Sequence, residues 1–323
     1  MKIITAFIFL MGLCGVARAD DKCGKLTLFD TVHLTRSEGQ DLIPVSINGE
    51  PKNFILDTGA YFTQVARPVV EELKLPMLQG NFEMFDLAGN ISRDVASVKE
   101  FQVAHMRGHD LQFPVSPIPA KIEGLLALDH FTTMDMDVDF GTDTLSLFTQ
   151  DHCEGAIQYW PGPPPGVLPF TLNGYHVVVP VMLDGHEERA LIDTGAGTTI
   201  INQAEEDRVF GLHLGDTDTP ERGVLNGDAT LKTYTHRFKT LSFGDVAVTN
   251  PMVRIIPNAV GRNAEKAQLV GDRAKSEKDL IQKQDMIIGM DVLRKLHLYI
   301  AFGERKIYVA PASAPAPAAK AGP

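Results

Sequence analysis

Apolar and polar residues alternate along most of the chain in short runs punctuated by turn residues, the period-two signature of half-buried β-strands. Residues 43 to 60 read IPVSINGEPKNFILDTGA: Ile43, Val45 and Ile47 alternate up to Asn48-Gly49, and a second apolar run, Phe54-Ile55-Leu56, follows. Asn-Gly between two such runs predicts a tight hairpin turn. Helical spacing is confined to short pieces, Arg67 to Leu73 and Val292 to Leu296. The chain therefore reads as mostly β.

The pattern occurs twice. Residues 179 to 196 read VPVMLDGHEERALIDTGA and align without a gap on 43 to 60, with identities at Pro44/Pro180, Val45/Val181, Gly49/Gly185 and through Asp57-Thr58-Gly59-Ala60/Asp193-Thr194-Gly195-Ala196. Downstream, Leu125 to Asp129 answers Ile287 to Asp291, and Val138 to Gly141 answers Ile300 to Gly303. The offset grows from 136 to 162 residues, so the second copy carries an insertion, placed in the charged stretch near 258–284 as a surface helix or mobile loop. Trp160 to Gly166, rich in Pro and Gly, breaks helix and strand alike and separates the copies. The expected organisation is a leader (1–19), a first lobe (20–160), a second lobe (161–310) and a disordered Ala/Pro tail (311–323), with the two mostly β lobes related by a pseudo-twofold.

Composition narrows the function. With 323 residues, 44% hydrophobic and 22% charged, the chain is an ordinary globular protein of about two domains. Thirty Lys plus Arg against 41 Asp plus Glu leave a net charge of −11, which lacks the basic footprint of a nucleic-acid binder. Lys2, the apolar run Ile3 to Val16 and Ala17-Arg18-Ala19 read as a secretory signal cleaved after Ala19. The run is short against the roughly 20 residues of a membrane span, and membrane contact is expected only if the leader is retained. Cleavage removes Lys2 and Arg18 and no acidic residue, taking the charge from −11 to −13. Two cysteines, Cys23 and Cys153, remain in an oxidising compartment, where an even pair is expected to form a disulfide.

The chemistry sits in the repeated Asp-Thr-Gly. One copy alone reads as a turn; two, each after an apolar strand and at equivalent points of a repeat, need another explanation. Here the sequence resembles the aspartic peptidases, specifically bilobal bacterial proteins built from two retropepsin-like or pepsin-like lobes. The resemblance implies acid-protease-like β-barrel lobes with a central cleft, and a catalytic dyad of Asp57 and Asp193, one from each lobe. Two carboxylates in contact cannot both ionise, so the pair shares a proton and activates a water without a covalent intermediate, cofactor or metal. The resemblance further implies that Thr58 and Thr194 bond across the lobes and that Gly59 and Gly195 leave room for backbone N–H groups to reach the carboxylates. The apolar-apolar-Gly element that braces each catalytic loop is intact at Ile287-Ile288-Gly289 but reads Leu125-Leu126-Ala127 in the first lobe, where the extra methyl is expected to displace the loop slightly. Hairpins at Phe85 to Asn90 and Leu225 to Asp228 are the candidate flaps.

Other motifs have plain readings. Asp135, Asp137 and Asp139 alternate but miss the calcium-loop pattern, because Gly141 is one place late and the twelfth residue is Ser146. As a strand with Met136, Val138 and Phe140 facing inward, its aspartates are expected to point to water. Thr63 and Thr199 are expected on strand surfaces. His105 and His109, spaced as on a metal-binding helix, fall in strand-and-turn sequence and read as surface residues. No Gly-x-Ser-x-Gly elbow or P-loop is present. The expected function is a monomeric periplasmic or secreted aspartic endopeptidase acting on an extended polypeptide in the cleft. The competing reading is a catalytically silent binding or inhibitor protein of the same fold.

Overall fold

The computed structural model describes residues 23–85, 91–116, 121–225, 228–257 and 284–314. The leader, the tips of both candidate flaps (86–90 and 226–227), the insertion (258–283) and the end of the tail (315–323) lie outside the described residues. Strand Gln40–Ile47 turns Ile43, Val45 and Ile47 into the core and pairs antiparallel with Glu50–Leu56. Between them Asn48 and Gly49 have φ of 53° and 88°, the double positive φ of a type I′ turn. The second copy repeats the hairpin with His176–Leu183 and His186–Ile192 around Asp184 and Gly185, at 45° and 85°. In each turn the first side chain also accepts two backbone N–H groups, those of Lys99 and Glu100 at Asn48 and of Lys239 and Thr240 at Asp184. This pins the hairpin tip to a neighbouring strand.

Each half builds its own sheet, of eight strands in the first and ten in the second. In both, the strand that runs into Asp-Thr-Gly pairs in parallel with its bracing strand, Glu50–Leu56 with Gly124–Leu126 and His186–Ile192 with Met286–Ile288. A third, six-stranded sheet joins the halves: Leu28–His33, Thr144–Phe148 and Asp135–Asp139 from the first, Leu296–Ala301, Lys306–Pro311 and Gly166–Pro169 from the second. At its centre the repeat-matched strands Asp135–Asp139 and Leu296–Ala301 run antiparallel, with Met136 opposite Ile300 and Val138 opposite Leu298. The fold is thus mostly β and two-lobed, as expected. Between the lobes Arg294 also reaches the fully buried Asp41 at 3.0 Å.

Three expectations change. The helix placed at Val292 to Leu296 spans Met290–Leu293, because Leu296 already begins a strand. The tail is ordered beyond residue 310: Pro311 closes its strand, the Ala312 N–H donates to the Lys295 carbonyl (2.9 Å) and the Ser313 N–H to Asp139 (3.1 Å).

The third change is the largest: Asp135, Asp137 and Asp139 are buried. Alternate residues of their strand do face opposite sides, and Met136 and Val138 enter the main core. The other side, however, is covered by the segment after Phe148, where Ile157 and Trp160 pack with Tyr299 and Tyr308. The aspartates are therefore held by polar partners rather than by solvent. Asp135 accepts from His152 Nε2 (2.7 Å), the Tyr299 hydroxyl (3.2 Å) and the Phe302 N–H (2.9 Å). Asp137 pairs with His297 Nε2 (2.6 Å) and the Tyr159 hydroxyl, and Asp139 accepts the Gly141 N–H (2.9 Å). Burial raises the Asp135 carboxyl, and the bond from His152 offsets only part of that.

Cys23 and Cys153 form the expected disulfide, with Cα atoms 4.8 Å apart across 130 residues of sequence. The Gly24 N–H donates to the Asp151 carbonyl and the Cys153 N–H to the Gly24 carbonyl, so the segment at Cys23 and Gly24 is sewn to the end of the first half. Closing so long a loop stabilises by up to about 5 kcal/mol in the chain-entropy account. Cys23→Ser combined with Cys153→Ser should lower the urea midpoint accordingly. Midpoints that match with and without the bridge would refute the contribution.

Candidate active site

Asp57 and Asp193 each follow the last strand residue of their hairpin, and the parallel brace holds both loops open. The Asp57 N–H donates to the Leu126 carbonyl (2.9 Å) and the Asp193 N–H to the Ile288 carbonyl (3.0 Å). The loops meet where the lobes touch. The Thr58 hydroxyl donates to the Ile192 carbonyl (2.6 Å) and accepts the Thr194 N–H (3.1 Å); the Thr194 hydroxyl donates to the Leu56 carbonyl (2.5 Å) and accepts the Thr58 N–H (3.0 Å). Both threonines are buried, so four charge-free bonds fix one loop against the other with no solvent to compete.

This grip brings each carboxyl group against the glycine of the opposite loop. Gly59 and Gly195 are needed for the approach. A Cβ on Gly59 would stand 2.2 Å from the Asp193 Cγ, and one on Gly195 2.4 Å from the Asp57 Cγ. The Gly59 N–H donates to Asp57 (3.0 Å), and the Gly195 and Ala196 N–H groups donate to Asp193 (2.9 and 3.0 Å). Burial, then the neighbouring Asp193 charge, pushes Asp57 up to about 8. Burial also raises Asp193, while the Ala196 and Gly195 N–H groups and the bond from Asp57 pull it back.

Thr63 and Thr199 are not strand-surface residues. Both are fully buried, and each ties its catalytic loop to the brace. The Thr63 N–H and hydroxyl donate to Asp129 (3.0 and 2.6 Å), and its oxygen accepts the Ala127 N–H (3.1 Å). Thr199 does the same with Asp291 (2.8 and 2.7 Å) and Gly289 (3.1 Å). The methyl of Ala127 fits in the first lobe, where it is fully buried, whereas a Cβ at Gly289 would lie 2.5 Å from the Thr198 backbone. The tighter second loop also gains a bond from the Met290 N–H to the Ala196 carbonyl (2.8 Å). Among the described residues that bond has no counterpart in the first lobe.

Two residues near the dyad were not singled out from the sequence. Gln40 Nε2 crosses the lobes to the Gly195 carbonyl (3.2 Å), and His176, at the same offset of 136 residues, hydrogen-bonds the Gly59 backbone. Extending the repeat three residues upstream of Ile43 would have paired them, although Gln and His share no obvious likeness. Tyr61 stands beside His176 (5.7 Å between ring centres) and against Phe62 (4.6 Å) and Tyr175 (6.0 Å), an aromatic group adjoining the loop of Asp57. His105 and His109 are exposed on a hairpin, well apart from these residues in the sheet.

The family model described as Aspartyl protease matches residues 43–130 and 179–292, which hold both Asp-Thr-Gly loops and both braces. A comparison with curated proteins found no significant match. Among solved structures the chain is similar to the aspartic proteinase from Irpex lacteus, at 11% identity and a TM-score of 0.50, over 88% of this chain and 97% of that one. With more than half of its length matched in two symmetric stretches, the chain belongs to the aspartyl protease family and is a peptide hydrolase with the two-lobed aspartic proteinase fold.

Proposed function

We propose that the protein is an exported aspartic endopeptidase in which Asp57 and Asp193 share one proton and activate a water. The reciprocal packing of Gly59 on Asp193 and of Gly195 on Asp57 carries this reading, since it brings two carboxyl groups together at the cost of any side chain at either glycine. A surplus proton on such a pair makes one member an acid and the other a base. The ionised carboxylate takes a proton from the water as its oxygen bonds to the scissile carbonyl carbon. The protonated carboxyl gives its proton to the carbonyl oxygen. The resulting diol collapses with cleavage of the C–N bond, one of its hydroxyls giving its proton to the now ionised carboxylate while the other carboxyl gives its proton to the leaving nitrogen. No group is consumed, and the dyad ends with the single proton it began with.

The substrate in this reading is an extended polypeptide laid between the lobes, with the Tyr61 group offering apolar contact to a side chain near Asp57. Export to the periplasm or medium is supported by the Cys23–Cys153 disulfide and by the leader sequence of residues 1–19. Among the described residues no helix is long and apolar enough to cross a membrane. The rival reading, a silent binding protein or inhibitor, draws on one observation, the alanine at 127 where the second brace has Gly289.

Digestion of a peptide library separates the two. Internal cleavage, blocked by a peptide carrying a hydroxyl-bearing tetrahedral mimic at the scissile position, is the expected result. Peptides that bind and return intact would favour the silent protein.

A further inference from the structure

The pseudo-twofold places one buried position under each catalytic strand, and the two copies fill it with opposite charges. In the first lobe it is Lys52, nearly buried, with Nζ 2.8 Å from Glu72 and 3.7 Å from Glu123. Glu123 immediately precedes the bracing strand and also accepts the Asn53 N–H at 2.6 Å. The ammonium thus ties the strand that carries Asp57 to its brace. The matching residue in the second lobe, 136 positions on, is Glu188. Asp285 takes the place of Glu123, immediately before the bracing strand Met286–Ile288, and accepts the Arg189 N–H at 2.9 Å in the same way.

A carboxylate therefore stands where the first lobe has a cation. Glu188 is fully buried, and among the described residues no donor reaches either of its oxygens. Its carboxylate faces those of Glu205 and Asp285, with one oxygen from each of the three within 4.8 Å of the others. The two nearby arginines are engaged by the other two carboxylates of the cluster and not by Glu188. Arg189 makes a fork with Asp285 (3.0 and 2.9 Å), and Arg208, which replaces Glu72, bonds Glu205. The charge of Glu188 is the one left over, and an uncompensated buried carboxylate is costly.

We propose that Glu188, Glu205 and Asp285 hold a hard divalent cation of the calcium class, which does in the second lobe what the Lys52 ammonium does in the first: it ties the strand leading to Asp193 to its brace. Three carboxylates, with water completing the shell, are the all-oxygen donor set that such ions take. The site is separate from the dyad, and its role is structural.

The test uses full-length protein stripped with chelator and titrated with CaCl2, MgCl2 or MnCl2 by calorimetry, with thermal unfolding in parallel. These readouts are independent of peptidase activity. The wild type should bind one ion per chain with Kd at or below about 1 mM, within the range of extracellular calcium modules, and its Tm should rise on binding. Glu188→Gln, which keeps the shape and removes the buried charge, should weaken binding at least tenfold. Glu188→Lys should reproduce the first lobe, unfolding at or above the Tm of the loaded wild type and showing no response to the ion. Absence of binding up to about 10 mM of all three ions, or equal binding by Glu188→Gln, would overturn the site and leave a proton shared with Glu205.

Discussion

Asp57→Asn and Asp193→Asn are each expected to abolish peptide cleavage, by on the order of 10⁴-fold or more in kcat, with little loss of folded stability. The amide is isosteric, so the threonine grip and the glycine contacts have no reason to change. It can neither take a proton from water nor give one to the carbonyl, and acid and base roles that act as one unit fail together rather than by halves. The two substitutions should therefore be about equally severe. Because the amide is neutral and of the same shape as the carboxyl it replaces, the Tm of both variants should hold. Full activity in either one, measured by single-turnover cleavage of a peptide cut by the wild type, would remove that aspartate from the chemistry. The pH profile gives a second check. Activity needs the singly protonated pair, which loses its proton as pH rises through the value of about 8 at Asp57, so cleavage should fall on that alkaline limb. It should also fall at low pH, when the second carboxyl takes up a proton.

The second large effect lies far from the chemistry, in the sheet that joins the halves. Asp135→Ala should destabilise the protein by about 3–5 kcal/mol, the cost of breaking a buried charged pair by removing one partner. Asp135 accepts from His152, Tyr299 and the Phe302 N–H together, and all three donors would be left in a site closed to solvent. On the wet face of a strand the same substitution would stay within about 0.5 kcal/mol. Urea unfolding distinguishes the outcomes, and a midpoint unchanged from the wild type would mean that this layer opens to water. Because Cys153 adjoins His152, the comparison should be made with the disulfide intact.

These two sites differ in how far they could be read from residues alone. The proposed dyad was legible because the chain carries its motif twice: an Asp-Thr-Gly that recurs after the same strand, at the same point of a repeat, singles out both carboxylates and their neighbours. The hairpins were legible because Asn48-Gly49 and Asp184-Gly185 are local turns whose backbone needs are met by two residues. The acidic strand was misread, since alternation reports that two faces differ and not what covers each. A polar face may look out on water or on a second buried layer, and only the segment from Phe148 to Trp160, folded back over the sheet, makes it the latter. Thr63 and Thr199 were underestimated for the same reason, as their partners Asp129 and Asp291 lie 66 and 92 residues further on.

By itself, then, the sequence determined the class of fold, its duplication and the disulfide pair, and it singled out the two aspartates proposed for catalysis, because each rests on local propensity or on a pattern repeated within the chain. Tertiary structure decided what crosses between lobes or stacks between layers: the approach of each glycine to the opposite carboxylate, the reach of Gln40 and His176, and the burial of three aspartates. It also decided that Lys52 and Glu188 occupy one equivalent place with opposite charge. Such facts depend on distances between residues more than a hundred positions apart, and the alternation of apolar and polar side chains specifies a strand's faces without specifying what comes to lie against them.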